Sequence, residues 1–408
     1  MIDQQKKSNF SLVCSLKEMA YIEGKREVIH SVKVGIALVL VSLLYLLDQP
    51  FEHVGKNAMW AIMTVVVVFE FFAGATLSKG INRGIGTIVG GGLGCFAASF
   101  ANKKGEMFEA ILVGSSIFIF GTVATYMRLL PKIKRRYDYA VMIFILTFNL
   151  VLVSPVRSDI IVDLALNRLS TVGMGLAICV CISIFIFPMW ASDELHYSIA
   201  FKFDKLASCI EGCLEEFYSI SNDMETLQSI VVQTCKSILH SNANEESLAN
   251  LARWEPWHGK FGLFHPWKNY LKVGEILREL AAMIFTLYGY LQSSKKSSSV
   301  MSQAMKETTD EIVMLSLVWI LRDLGESIKK MKRCHARVLI TPKLQSMKLQ
   351  LNLIYSSNST VEAQENDEKF KINCSSLLME IVAKMHLLVK ELEGLEELAK
   401  FQKKKLDV

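Results

Sequence analysis

The 408-residue chain is poor in proline, with seven residues in all, and its nine cysteines form no CxxC pair. Scattered single cysteines, several inside apolar runs, give neither a disulfide framework nor a zinc site; they read as reduced, small hydrophobes. HExxH, GxSxG, GKS and GKT are absent, so no hydrolase, metalloprotease or Walker site is expected, and with them no catalytic residue, cofactor or metal. Charge of one sign is lacking too. Forty-five Lys and Arg against 40 Asp and Glu leave +5, and the basic residues make no stripe interleaved with aromatics, which excludes nucleic acid as an expected partner. No apolar core follows Met1 in the polar first thirty residues, so a cleaved signal peptide is not expected.

What is present is apolar sequence. Hydrophobic residues make up 51% of the chain and charged ones 21%, at a mean hydropathy of +0.31. That combination implies a membrane part joined to a soluble part. Runs approaching the ~20 residues of a membrane span occur only in the first half, at Val32–Leu47, Ala58–Ala73, Gly80–Ala101, Ala110–Leu130, Tyr139–Val153 and Leu164–Trp190. The expected fold is therefore all-α: a cytosolic arm over 1–31, a six-span transmembrane helical domain over 32–190, and a cytosolic helical-bundle domain over 191–408. Orientation follows from the loops. The arm (Lys6, Lys7, Lys17, Lys25, Arg26, Lys33) and the second and fourth loops (Lys79, Arg83; Arg128, Lys132, Lys134, Arg135, Arg136) are richer in positive charge than the others, which puts both termini in the cytosol.

Beyond Ala191 the pattern predicts helices over Asp193–Tyr218, Glu225–His240, Trp267–Gln292, Met301–Met331 and Cys374–Phe401. The last carries Leu378, Ile381, Met385, Leu388, Leu392 and Leu395, a heptad seam that requires a partner helix, either within the domain or on a second subunit. SSKKSSS at 293–299 reads as a break and Ser356–Lys369 as a polar loop. Trp254, Glu255 and Pro256 read as structural, since Pro256 holds Glu255 out of helical conformation. His258 and His265 lack a third ligand and are expected to pack or cap. Three sequons, at Asn9, Asn358 and Asn373, fall on the expected cytosolic side and should carry no glycan.

Charges inside the apolar half are the informative residues. In GINRGIGTIVGGGLG, Gly80 to Gly94, the glycines are not spaced as a dinucleotide fingerprint, and no strand precedes them. Gly80 and Gly84 form one GxxxG step, and Gly86, Gly90 and Gly94 form two more, a face that lets another helix approach to backbone contact. Packing does not account for Arg83, with Lys79 one turn before it. Arg83 and Lys79 line a passage or serve the positive-inside bias. Arg168, near the outer boundary of the last run, is a passage residue or an interfacial one. Glu70, in VVVVFEFF, needs a cationic partner, Lys79 or Arg83, or a proton to carry. A route with a lysine and arginines but few acids favours anions, and must hold them weakly. Three function classes follow: a passive anion channel, an ion-coupled carrier using Glu70, and a membrane scaffold or anchored enzyme, the last disfavoured by the missing motifs.

NAMWAIMTVVVVFEFFAGATLSKGINRG, YDYAVMIFILTFNLVLVS, NRLSTVGMG and ARWEPWHGKFGLFHPWKNYLKVGEILRELA resemble the plant aluminium-activated malate transporter family, over about His30 to Leu291 and less clearly beyond. Trp254–Glu255–Pro256 is the hallmark. The resemblance implies a homodimeric anion channel in a lipid bilayer, with six spans and a helical cytosolic domain, passing malate and other small anions. It implies that the family's basic pore positions fall on Arg83 and Arg168, with Lys79 nearby. The first outer loop, DQPFEHVGKN, lacks the acidic-aromatic insert of aluminium-responsive members, and the family's outer acids would fall on Asp159 and Asp163; aluminium activation is not expected to carry over. Whether the host membrane is the plasma membrane or the vacuolar one stays open.

Overall fold

A computed structural model describes residues 2–47, 58–101, 106–153, 158–218, 224–258, 266–297, 309–333, 337–358, 367–399 and 401. The first outer loop, His265, the side chains of Asp159 and Asp163, and residues 359–366 lie outside the described residues. Every regular element among those described is a helix. They are α1 (Ile2–Leu47), α2 (Ala58–Val68), α3 (Ala73–Ala101), α4 (Glu106–Leu129), α5 (Pro131–Val153), α6 (Ser158–Phe185), α7 (Ala191–Tyr218), α8 (Met224–Leu239), α9 (Asn242–Ala252), α10 (Trp267–Ser297), α11 (Thr309–Lys330), α12 (Arg337–Asn358) and α13 (Asp367–Leu398). The chain divides into two compact units, Met1–Trp190 and Ala191–Val408.

In the first unit, four stretches among the described residues are long and apolar enough to cross a membrane: Gly24–Leu46, Ala110–Leu129, Arg136–Val153 and Leu166–Phe185. They match the first, fourth, fifth and sixth apolar runs. The second run differs, because α2 stops at Val68 after 11 residues, ~16 Å of helix. Phe69 to Phe72 are non-helical, and the chain turns into α3 at Ala73. Thr76 fixes this break: its Oγ1 accepts from the Glu70 N–H at 3.0 Å, and Ala73 N–H donates to Met189 O at 3.0 Å. The third run becomes the 29-residue α3, long enough to span but held down in hydropathy by its glycines, Lys79 and Arg83. The N-terminal arm is helical as well, continuous with the first run over the 46 residues of α1. At the other end, α6 stops at Phe185, where Phe187 takes a left-handed φ of 43° just before Pro188, a residue order that cannot continue a helix.

Glycine spacing sets the packing of this unit. A Cβ on Gly90 would meet Phe144 O at 2.8 Å, one on Gly94 would meet Val151 Cβ at 2.9 Å, and one on Gly86 would collide with Ala140 O. One face of α3 thus lies against α5 with the two chains running parallel. Gly80 faces Leu176 of α6, whereas Gly84 meets open space, so the Gly80–Gly84 step is only half used.

The second unit is organised around α7, which packs on α8, α9, α10 and α11. All six heptad residues of α13 are buried, and α13 packs on α10 and α12, so its seam is covered within the unit. The break expected at 293–299 is helical through Ser297, and the polar stretch from Ser356 is helical through Asn358 and again from Asp367. Short α9 brings Glu245, with a side chain 1% exposed, between Lys202 and Arg278. Arg278 Nη1 donates to Glu245 Oε2 at 2.6 Å, Lys202 Nζ pairs with Oε1, and Ser241 Oγ donates to Oε1 at 2.9 Å. Gly274 of α10 makes room, since a Cβ there would run into the Glu245 carboxylate. One buried acid therefore bonds two basic side chains at once, with Glu246, Glu275 and Glu279 also within electrostatic reach of Arg278. Removing the charge from such a cluster leaves uncompensated buried charge, at a cost of about 3–5 kcal/mol. Glu245→Gln is expected to lower the thermal midpoint of the detergent-solubilised chain by about 10 °C; an unchanged midpoint in far-ultraviolet circular dichroism would show that the carboxylate is dispensable.

Candidate functional site

Arg83 lies about 15 Å along α3 from Ala73, and Arg168 about 15 Å along α6 from Ser158. Neither sits at a helix end. The helices run antiparallel: Gly80 faces Leu176, while Arg83 is near enough to Arg168 for their charges to repel. Both residues are buried, 6% and 5% exposed. Arg83 Nη1 donates to the Tyr139 hydroxyl of α5 at 3.1 Å, a partner brought in by the close α3–α5 contact. The Arg168 guanidinium carbon lies 3.6 Å from the centroid of the Trp60 ring on α2, where the π face stabilises a cation. Trp60 reaches it because α2 and α6 touch through Gly175, whose Cβ would come within 2.8 Å of Ala61 O. Among the described residues no carboxylate pairs with either arginine. Arg83 Nε and Arg168 Nη1 are buried without a hydrogen-bond partner. Two cations within electrostatic reach of each other, with no acid paired to either among the described residues, form an electropositive point about a third of the way along two apolar helices, with Arg83 Nε and Arg168 Nη1 left as donors.

Lys79 and Glu70 belong to a separate pair. Lys79 Nζ donates to Glu70 Oε1, and both side chains are partly exposed. Glu70 is thereby drawn to Lys79 and not to Arg83. The broken segment also gathers His30, whose ring centroid lies 5.8 Å from that of Phe69 and 5.5 Å from that of Phe71, and it brings Lys33 and Glu70 within electrostatic reach of His30. Lys33 is itself buried.

The Trp254–Glu255–Pro256 segment serves the second unit. Glu255 is non-helical after the turn that ends α9, and its buried carboxylate reaches the start of α7. It accepts from Ala191 N–H at 2.5 Å and from Ser192 N–H at 3.2 Å. A carboxylate on the first free amides of a helix satisfies orphan donors and complements the helix dipole. His258 closes the arrangement, with Nδ1 2.8 Å from Pro256 O and Nε2 3.0 Å from Ser192 Oγ. Because a carbonyl only accepts, Nδ1 carries the proton. Burial raises the Glu255 carboxyl above the ordinary glutamate range, and the Ser192 and Ala191 donors oppose that rise. Of the neighbouring tryptophans, Trp267 is buried at the head of α10, whereas Trp257 is 75% exposed.

Residues 19–380 match the family model described as aluminium activated malate transporter. The chain belongs to the aluminium-activated malate transporter family. It is 40% identical to aluminum-activated malate transporter 13 of Arabidopsis thaliana over 84% of this chain and 63% of that one. It is 39% identical to transporter 14 of the same plant over 78% and 59%, and 38% identical to transporter 1 of Triticum aestivum over 76% and 69%. The chain thus spans about three-fifths of the length of the first two relatives.

In this member of the family, sequence reasoning singled out Arg83 and Arg168, which the fold brings together, and Lys79 and Glu70, which it pairs elsewhere. It passed over Tyr139 and Trp60, whose roles depend on helix contacts between distant segments. It also passed over Lys33, counted with the arm although VKVGIALVLVSLLYLL placed it at the head of an apolar run. For the family tripeptide, loss of a carboxylate cap costs about 0.5–2 kcal/mol, so Glu255→Ala should lower the thermal midpoint while Glu255→Gln, keeping one acceptor oxygen, lowers it less. Because the folded carboxyl keeps its proton to higher pH than the unfolded one, the Glu255 contribution to stability falls as pH rises through the acid range and is then flat. The Gln variant should lack that slope; equal slopes in both chains would contradict the assignment.

Proposed function

We propose that the chain forms a passive anion channel that conducts malate and other small anions across a plant cell membrane, with Arg83 and Arg168 as its pore cations. The observation that carries this reading is the pair of buried guanidinium groups on two helices, close enough to repel, with no carboxylate paired to either among the described residues. A cation at the centre of a span costs ~3 kcal/mol on insertion scales, and two side by side add repulsion. A passing dianion relieves both. Among the described residues the site supplies leftover N–H donors, one tyrosine and one tryptophan face, so the anion is attracted without being trapped, as conduction requires. Malate with two charges gains ~4.6 kcal/mol in crossing 100 mV, enough to drive it without coupling to another ion.

The rest of the assembly follows the same reading. Six crossing segments, α2 with its broken end and the glycine-rich α3 included, form the pore domain over 32–190. The parallel α3–α5 contact and the antiparallel α3–α6 contact support such an alternation. The arm over 1–31 and the helical domain over 191–408 lie in the cytosol with both termini. Two copies make the channel, in the plasma membrane or the vacuolar membrane.

Arg83→Glu and Arg168→Glu should each abolish malate current in a patch-clamp recording at unchanged surface expression, and the Lys variants should retain a reduced current. Normal current in both Glu variants would remove the mechanism. The competing reading is an ion-coupled dicarboxylate carrier using Glu70. It predicts that the reversal potential shifts with a proton or cation gradient and that Glu70→Gln stops transport. A channel's reversal potential follows the anion gradient alone, and Glu70→Gln, which keeps an acceptor oxygen for Lys79 and loses the charge, keeps conducting.

A further inference from the structure

Helices α3, α4 and α5 enclose an open groove of about 410 Å³ on the first unit, away from Arg168 and α6. Its walls are Ile85, Val89, Val123, Met127, Tyr137 and Phe144, and its surface is wholly apolar. Small residues keep it deep: Ala124 and Ala140 form part of the lining, and Gly86 lets α3 approach α5 at the floor. Along α5 it runs from Ile133 to Phe144, ~16 Å at 1.5 Å per residue. That is about one leaflet of a ~30 Å hydrocarbon core.

The two ends of the groove differ in charge. The end formed by Met127, Ile133 and Tyr137 adjoins the turn between α4 and α5, with the sequence RLLPKIKRRYD. There Arg128 is neutralised by Asp138, through Nε–Oδ1 at 2.8 Å and Nη2–Oδ2 at 3.1 Å. Lys132 and Lys134, the chain neighbours of Ile133, are exposed, and the Asp138 carboxylate within electrostatic reach of Lys134 is already held by Arg128. The Arg136 guanidinium lies 5.4 Å from the centroid of the Tyr137 ring. The opposite end, at Phe120, Leu93 and Phe144, has no charged residue in its lining among the described residues. An apolar slot one leaflet long with lysines at one mouth matches a molecule with a hydrocarbon tail and an anionic head. An apolar helix of a second copy would fill the slot but offer nothing to the lysines.

We propose that this groove binds one anionic phospholipid, its acyl chain lying between α3, α4 and α5 and its headgroup phosphate held by Lys132 and Lys134. The proposal rests on the reading that the first unit spans a membrane, but not on conduction of any anion. A lipid seated against α3 and α5 touches the helices that carry Arg83 and Tyr139, so the state of the membrane is felt one layer away from the arginine pair.

Native mass spectrometry of the full chain tests this, after purification from vesicles of equal phosphatidylglycerol and phosphatidylcholine with identical tails. The expected result is one retained phosphatidylglycerol per chain in clear excess over phosphatidylcholine. A juxtamembrane lysine is worth ~1 kcal/mol toward an anionic lipid, so Lys132→Gln and Lys134→Gln should each cut that preference about 5-fold. Both positions are exposed, so neither variant should disturb folding. Val123→Trp fills the groove and should reduce retention of both lipids. Equal retention of the two lipids, or a preference unmoved by the Gln variants, overturns the proposal. So does a Val123→Trp chain that loses self-association while keeping its lipid, since the groove would then belong to a second copy. Flotation of the chain with the vesicles separates the two levels: a chain that fails to insert sinks the membrane-spanning reading itself, whereas one that inserts without selecting phosphatidylglycerol sinks the lipid site alone.

Discussion

Positive charge buried without a matching acid among the described residues is the constraint on which the first unit depends. Guanidinium groups do not lose their proton in proteins, so Arg83 and Arg168 cannot escape the cost of burial by becoming neutral. The surrounding helices meet the cost in part, with the Tyr139 hydroxyl on one cation and the Trp60 face on the other. Each of those partners is delivered by a close helix contact that glycine permits, at Gly86, Gly90 and Gly94 for α5 and at Gly175 for α2. The glycines and the arginines are therefore linked: the backbone-level approach brings Tyr139 and Trp60 within reach of the cations.

The two units treat buried charge in opposite ways. In the second unit, Glu245 satisfies Lys202 and Arg278 together, and Glu255 satisfies the free amides of α7. Those charges are closed off and serve stability. In the first unit Arg83 Nε and Arg168 Nη1 stay buried without a hydrogen-bond partner, an arrangement that costs stability. The Glu70–Lys79 pair marks the boundary between these modes, since it closes a charge beside the break between α2 and α3 while leaving Arg83 open.

Much of the architecture was legible because it rests on local pattern. Apolar runs located α1, α4, α5 and α6, heptad spacing located the buried face of α13, and four-residue glycine spacing located the α3 face that meets α5. What stayed hidden depends on long-range contact. The break after Val68 is held by Thr76 and Met189, groups far from it in pattern if not in space, so the apolar run through Ala73 gave no sign of it. Helices α9 and α12 were missed because their apolar periodicity is weak, and the role of α9 appears only when Glu245 meets residues of α7 and α10. Arg83 and Arg168 stood out as charges in apolar sequence, yet their proximity required the antiparallel packing of α3 and α6. Glu255 was read as structural from Pro256, but its target, the first amides of α7, lies some sixty residues earlier in the chain.

The central claim is that fixed positive charge at the meeting point of α3 and α6 admits anions, and chemical restoration of that charge tests it most directly. Arg168→Cys removes the guanidinium, and thiol reagents of equal size then place either an ammonium or a sulfonate at the same position. With the parent chain treated in parallel to account for its own cysteines, the account predicts that the cationic reagent restores malate current to the silenced variant and the anionic reagent does not. Current that is indifferent to the sign of the attached charge would contradict it.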